Sequence, residues 1–385
     1  MPTPWTCFAA CALGLEPLLT RELVALAKDM AIEVGEAEPG GVEFTAAQSG
    51  VWAANLHLRT ASRIVVRIGA FHASTFHELE RHARRLPWSA FVSPGAQVEF
   101  RVTSRKSRLY HQDAIAQRLR THLRDSAVTT APDDSEAPAA GQLITVRLFR
   151  DHCTVSVDSS GDLLHRRGYR LAIAKAPLRE TLGAALLLAA GWGGTAPLLD
   201  PMCGSGTIPI EAALLARRIA PGLHRRFAFE DWPGFDAEAW RRLRENAVEQ
   251  VLPASPVPIL GSDRDEGAVV AAVANAERAG VAQDIEFKRA AISGIAPPGG
   301  QGWLVTNPPY GARVGERLKL RNLYAQLGNV ARRRCAGWRL AVLSAHRELE
   351  RQIGIPLERV FETQNGGIRV RLVQGLVPGT GAAPG

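Results

Sequence analysis

Residues Pro197 to Ala216 read "PLLDPMCGSGTIPIEAALLA", and this stretch decides the fold. A short apolar run ends in Asp200, a tight loop carrying Gly204 and Gly206 follows, and a helix-forming run opens at Thr207. A strand, an acid at its carboxyl end, a glycine turn and a helix make the first crossover of a doubly wound α/β sheet. Such sheets bind a nucleotide-like ligand at that point. No Gly-Lys-Ser/Thr follows, so the loop is not a phosphate-binding P-loop. It is also a poor dinucleotide fingerprint, because Pro209 stands where the third glycine belongs.

What remains is a loop that lets an uncharged ligand approach the backbone, beside Asp200, which suits a cationic amine. S-adenosylmethionine has those properties: a nucleoside with an amino-acid tail and no phosphate. "PILGSDRDEGAV" places Asp263 just past the next strand, where a carboxylate can accept both ribose hydroxyls. The plainer readings are a tight turn for the loop and a helix N-cap before Glu266 for Asp263. The interval between the two acids is long for a nucleotide fold. Its excess, Pro221 to Leu243, is rich in arginine and aromatic residues and reads as an insertion on the sheet's rim.

Outward from the loop, strands and helices alternate as in a mostly parallel sheet covered on both faces. Helices are expected at Leu178–Ala190, Thr207–Arg218, Glu266–Ala279 and Asn322–Cys335. Strands are expected at Pro197–Leu199, Val257–Leu260, Ile285–Lys288, Trp303–Thr306 and Arg339–Leu343. The N-terminal part differs. Trp5–Ala10, Ala31–Glu36, Gly41–Thr45 and Arg63–Phe71 read as strands, with helices at Glu16–Lys28 and Ala46–Leu58. That βαββαβ order is ferredoxin-like. Helical segments follow at Thr75–Arg85 and His111–Ser126, with strands at Gln97–Thr103, Leu143–Arg150 and His152–Asp158. Ser126–Gly141 reads as a turn-rich surface loop, and the last ten residues, "LVPGTGAAPG", as frayed chain.

Composition narrows the class. The 385 residues, 46% hydrophobic and 22% charged, are long enough for two or three ordinary globular domains. No apolar run is long enough to span a bilayer, and the N-terminus, with Glu16 early and no basic region, does not read as a signal peptide. The five cysteines lack any CxxC or zinc spacing, which suits reduced thiols in a cytoplasmic, metal-independent protein. The formal charge of +8 is unevenly spread. Arg101 to Arg124 holds Arg101, Arg105, Lys106, Arg108, Arg118, Arg120 and Arg124 against Asp113 alone; His165 to Arg179 holds Arg166, Arg167, Arg170, Lys175 and Arg179 with no acid. Arginine's planar fork suits phosphate, so both stretches suggest a nucleic-acid partner, although each also reads as a solvated helix face.

"WLVTNPPYGAR", Trp303 to Arg313, carries the second chemical signal. Proline cannot continue a sheet ladder and holds the preceding residue extended, so Asn307 and Pro308 sit in a stiff loop at a strand's end. Such a loop either only ends the strand or holds a substrate atom in place. No Pro-Cys dipeptide supports a cysteine nucleophile, and Cys203 reads as a packing residue.

Together these motifs resemble the THUMP-domain RNA guanine-N2 methyltransferases. "GLEPLLTREL" and "NLHLRTASRI" are similar to that family's ferredoxin-like region, "LYHQDAIAQRL" to its THUMP domain, and "HRRGYR…APLRETLGAALL" to its connector. "DPMCGSGTIPIEAA" is similar to the cofactor loop and "TNPPYG" to the catalytic loop. The resemblance implies a ferredoxin-like domain over residues 1–70, a THUMP RNA-binding domain over 71–165 and a Rossmann-like class I methyltransferase domain over 166–376. A disordered tail follows at 377–385. It implies cofactor contacts from Pro177, Thr181, Asp200, Cys203, Gly204, Ser205, Gly206, Thr207, Asp263, Arg264, Ala291 and Asn307. Asn307, Pro308, Pro309 and Tyr310 would be catalytic, and Arg101, Arg105, Lys106, Arg108, Arg118, Arg166 and Arg167 would meet RNA. Ala291 stands, in an alignment on Phe287, where the family usually carries an aspartate for the adenine amine, which leaves that contact to backbone near Ala290. The implied substrate is a structured RNA, 23S rRNA ahead of tRNA. The competing classes are a DNA adenine-N6 methyltransferase and an assembly factor without turnover.

Overall fold

The computed structural model describes residues 4–125, 141–170, 178–310 and 317–379. Pro177, Lys175, Gly311 to Arg313, residues 380–385 and all but the last residue of the expected Ser126–Gly141 loop lie outside them. The chain forms two compact units, one of residues 1–11, 19–164 and 225–245, the other of 12–18, 165–224 and 246–385.

The first unit is built on one seven-stranded sheet. β1 (Trp5–Ala10), α1 (Glu16–Leu26), β2 (Ile32–Glu38), β3 (Gly41–Ala46), α2 (Gln48–His57) and β4 (Arg63–His72) follow the ferredoxin-like order. α3 (Phe76–Ala83), β5 (Val98–Arg105), α4 (Gln112–Asp125), β6 (Gln142–Phe149) and β7 (His152–Asp158) come next. β4 pairs with β1 on one side and β7 on the other, giving the strand order β2-β3-β1-β4-β7-β6-β5. The junction expected near residue 70 therefore falls inside a shared strand. α3 begins with a capping box: Glu78 N donates to Thr75 Oγ1, while the Glu78 carboxylate accepts from Thr75 N, each at 3.3 Å.

Residues 225–245 correct one expectation. They are not a rim of the second sheet but part of the first unit. Trp232 stands edge-on to Phe91 at 4.9 Å and donates its indole N–H to Gln142 at 2.7 Å. Phe229 stacks on Trp52 at 5.8 Å and meets Trp240 at 5.1 Å. Large rings dominate core energetics, so this aromatic segment packs where it can bury them.

In the second unit, α5 (Glu180–Ala190) precedes β8 (Leu198–Asp200), α6 (Thr207–Ala216) and α7 (Ala237–Glu249), whose first residues belong to the segment just described. β9 (Ile259–Asp263), α8 (Glu266–Arg278), β10 (Ile285–Arg289) and β11 (Trp303–Thr306) follow. α9 (Arg317–Arg334), β12 (Arg339–Ser344), α10 (Arg347–Ile353), β13 (Glu358–Asn365) and β14 (Ile368–Leu376) complete it. The order is β10-β9-β8-β11-β12-β14-β13. The first five strands are parallel and the terminal hairpin antiparallel. The order reverses between β8 and β11, which opens a crevice at their carboxyl ends. The tail expected to fray from Leu376 starts later: Val377 is fully buried, and its amide donates to Trp338 O at 2.8 Å.

Candidate active site

A cavity of about 810 Å³ occupies that crevice, within the size range of small-molecule sites. Asp200 ends β8 and Asp263 ends β9, so parallel pairing alone brings the two carboxylates to the same edge. Asp200 is 1% exposed; its Oδ1 accepts from Thr306 Oγ1 at 2.7 Å and from Met202 N at 3.1 Å. Burial pushes its pKa up to about 7, against the lowering effect of those two hydrogen bonds, and the charge of Asp263 raises it further. Asp263 accepts from Gly204 N and Asp265 N, both at 3.0 Å. The N-cap of α8 is Asp265, which accepts from Gly267 N at 2.9 Å, so Asp263 is left to face the cavity.

The glycine loop is held from behind. Gly206 has φ +85°, and a Cβ there would lie 3.0 Å from that of Ala272 on α8, so only glycine fits the turn. Buried Asn275, also on α8, donates to Ser205 O at 3.0 Å, and Cys203 N donates to Ser262 O at 2.9 Å. Burial and the two nearby carboxylates keep the Cys203 thiol neutral, in accord with packing rather than nucleophilic attack.

β11 covers Trp303 to Thr306, as its sequence predicted, and delivers Asn307, Pro308, Pro309 and Tyr310 to the cavity wall. Asn307 Oδ1 is buried and has no hydrogen-bond partner among the described residues. A buried amide oxygen without a partner carries an unmet desolvation cost of about 1–3 kcal/mol. Such a cost is what a ligand donor would relieve. Burial raises the Tyr310 phenol above its ordinary value, opposed by the hydrogen bond that Asn365 donates to it.

Most of the remaining expected residues join this wall. Cys203, Gly204, Ser205, Thr207, Arg264 and Ala291 line it, whereas Gly206 and buried Thr181 do not. The Ala290 N–H donates to Asp263 O at 2.9 Å, so it is not free for a ring nitrogen of adenine; the adenine amine, itself a donor, needs an acceptor. Among the described lining residues Arg264 is the sole cation, against Asp200, Asp263 and Asp265. That balance disfavours a phosphorylated nucleotide and suits a cationic ligand.

Sequence reasoning missed Asn365, whose Nδ2 donates to Tyr310 Oη at 3.0 Å, and Ile368, which lines the cavity. The two are paired across a turn of Gly366 and Gly367, both at positive φ. "Asn-Gly-Gly" between alternating apolar positions is a hairpin signal that would have found them.

The arginines expected to meet RNA separate. Arg101 and Arg105 point from the open face of the first sheet, beside exposed Arg147. Arg101, Arg147, Phe8 and Phe149 line a cavity of about 580 Å³ on that face. Lys106 and Arg108 are exposed in the following loop, which is shaped by Arg108 N donating to Asp151 at 2.7 Å. Arg118 lies in the helix layer, paired with Glu80 at 2.5 Å. Arg166 is exposed, but Arg167 is not an RNA contact: its side chain is 3% exposed and sits 3.5 Å from Glu211. The all-basic sequence around it hid a partner on α6.

The crevice and sheet order define a Rossmann-like methyltransferase. Residues 167–374 match the family described as RMKL-like, methyltransferase domain, residues 6–65 the RlmL ferredoxin-like domain and residues 73–158 the THUMP domain. The chain belongs to the RMKL-like methyltransferase family. It is 33% identical to "Putative RNA methyltransferase slr0064" of Synechocystis sp., over 95% of each chain. It is 38% identical to "Ribosomal RNA large subunit methyltransferase K/L" of Methylococcus capsulatus, over 97% of this chain and 51% of that one. The chain thus spans about half the length of that K/L relative. Among solved structures, SMU.472, described as "a putative methyltransferase complexed with SAH", is 30% identical with a TM-score of 0.87, over all of both chains.

The five cysteines are free and buried, and no acid, histidine and cysteine cluster suited to a metal occurs among the described residues. No described helix is long and apolar enough to cross a membrane.

Proposed function

We propose that this chain transfers a methyl group from S-adenosylmethionine to the exocyclic N2 of a guanosine in a structured RNA, 23S rRNA in preference to tRNA. The observation that carries the reading is the buried Asn307 Oδ1, without a partner among the described residues, in the wall of an acidic crevice. The S-adenosylhomocysteine bound by SMU.472 supports the cofactor, and the name of the K/L relative supports the ribosomal substrate. The division at residues 70/71 and 165/166, and a cytoplasmic location, belong to the same proposal.

The residues fit the cofactor. Asp200, the loop from Cys203 to Ser205 and Asp263 would hold it, and when bound it supplies an electrophilic methyl on sulfur. Asp200 would bind the ammonium and Asp263 the ribose hydroxyls, for which a carboxylate accepting two bonds still has free lone pairs. Asn307 Oδ1 and Pro308 O would accept the two amine hydrogens and orient the nitrogen lone pair. Tyr310 would stack on the extruded guanine. The arginines of the first unit would position RNA by its phosphates without reading sequence.

Asn365 would act as a positioning residue for Tyr310. Asn365→Ala is expected to lower kcat roughly tenfold, the worth of one partly buried hydrogen bond, with cofactor affinity unchanged. Tyr310→Phe should match it, and the double variant should be no worse than either. Additive losses would show that Asn365 acts elsewhere.

Mass spectrometry of nucleosides from separately purified 23S rRNA, 16S rRNA and tRNA tests the substrate, comparing a deletion strain with its parent. Loss of N2-methylguanosine from 23S alone is the expected result. Loss from tRNA alone would move the assignment to tRNA. No loss in any fraction would overturn the guanine-N2 reading in favour of DNA adenine or a chain without turnover.

A further inference from the structure

Positive charge collects at one edge of the second unit's sheet, away from the crevice. A groove of about 480 Å³ lies between α10 and the β13–β14 hairpin, lined by Arg347, Arg351, Arg359 and Arg371 with Glu350 as its one acid. An adjoining hollow is lined by Arg347, Arg369 and Arg371 with Glu362. Both acids are already engaged. Glu350 holds Arg371 through two bonds of 2.7 and 2.8 Å, and Glu362 takes Arg359 at 3.0 Å and Arg369 at 2.6 Å. Arg347 and Arg351 have no acid partner among the described residues. Four positions apart on α10, they present their guanidinium groups on one side of the helix. Gathering like charges without counter-charge repels, and an anionic ligand removes that repulsion.

The hairpin ties this groove to the active site. Ile368, at the start of β14, lines the crevice, and Arg369 and Arg371, one and three residues on, line the basic hollow. At about 3.3 Å per residue, Ile368 to Arg371 spans about 10 Å. The opposite end of the same turn supplies Asn365 to Tyr310.

We propose that this groove binds the phosphodiester backbone of the RNA strand flanking the methylated nucleotide, as a second phosphate site separate from the arginines of the first unit. The inference rests on the RNA methylation reading above. Arg371, clamped by Glu350, forms a fixed floor; Arg347 and Arg351 are the mobile forks that engage phosphate oxygens. Contacts of this kind carry no sequence preference and set the register in which the target base reaches Asn307.

The test uses the full chain and a 23S rRNA transcript as probe, with binding measured between 50 and 200 mM KCl. Arg347→Ala/Arg351→Ala is expected to weaken binding tenfold or more at low salt. The slope of log K against log salt should fall in magnitude by about 1.4 to 1.8, as two lost phosphate contacts require. Arg347→Lys/Arg351→Lys should keep most of the slope. S-adenosylhomocysteine affinity and melting temperature should not move, since both side chains are exposed. An unchanged slope and affinity in the alanine variant, repeated in Arg347→Gln/Arg351→Gln, would overturn the proposal and leave an acidic protein partner as the occupant to pursue. The two readings fail separately: wild-type methylation surviving Asn307→Ala removes the catalytic assignment, whereas an unaltered slope removes the groove alone.

Discussion

Asn307→Ala is expected to lower methyl transfer by at least about 10²- to 10³-fold, the loss typical of one preorganised polar group at a reacting centre. Cofactor affinity should barely change. The side chain stands at the end of β11, braced by Thr306 on one side and two prolines on the other, so truncation leaves the loop in place. What disappears is the buried acceptor, Oδ1, which meets no donor among the described residues. An exocyclic guanine amine is a weak nucleophile because its lone pair is delocalised into the ring. Unless both hydrogens are held by acceptors, the lone pair does not turn towards the methyl donor, and orientation is most of what the site supplies. Asn307→Asp retains an acceptor and should keep more activity than alanine. Single-turnover rates with saturating cofactor separate chemistry from binding. Methylation by the alanine variant within a few-fold of wild type would remove Asn307 from the mechanism.

The parts of this site that sequence disclosed are those written in contiguous residues. The strand, glycine turn and helix at Pro197 to Ala216, and the strand into Asn-Pro-Pro-Tyr, are local patterns, and the structure puts both at one crevice. Their interlocking was hidden because it is made across the sheet: Thr306 to Asp200 joins residues 106 apart, and Asn365 to Tyr310 joins residues 55 apart. Charge misled for the same reason. Arg167 has no acid nearby in sequence, yet it is buried against Glu211, 44 residues away on α6. Composition also failed to say which core the segment from 225 to 245 would enter. Its rings could have covered any apolar face, and only the three-dimensional positions of Trp52 and Phe91 select the first unit.

Cofactor affinity is expected to follow a bell-shaped pH profile, and Asp200 sets its acid limb. In the ligand-free protein, burial places the Asp200 pKa at about 7, so the carboxyl is largely protonated at pH 6 and ionised at pH 8. An ammonium group binds the carboxylate form. Affinity for S-adenosylmethionine should therefore fall below pH 7, approaching about tenfold per unit, with a proton released on binding. Above about pH 8 the ligand's own α-amino group loses its proton and affinity should fall again. Asp200→Asn keeps an oxygen for Thr306 and Met202 but has no charge. It should flatten the acid limb and weaken binding at pH 8 by about 30-fold or more, the cost of leaving one member of a buried charge pair alone. Stability runs the opposite way. The folded pKa lies above the value of 3.8 for an unperturbed aspartate, so the ligand-free folded state holds a proton that the unfolded state has lost. Without cofactor, the wild type should lose stability as pH rises from about 4 through 7. Asp200→Asn, lacking that titration, should melt higher than wild type at pH 8. Calorimetric titration at several pH values, paired with melting curves, reads both effects. A pH-independent affinity in the wild type would mean that Asp200 is not the cation site.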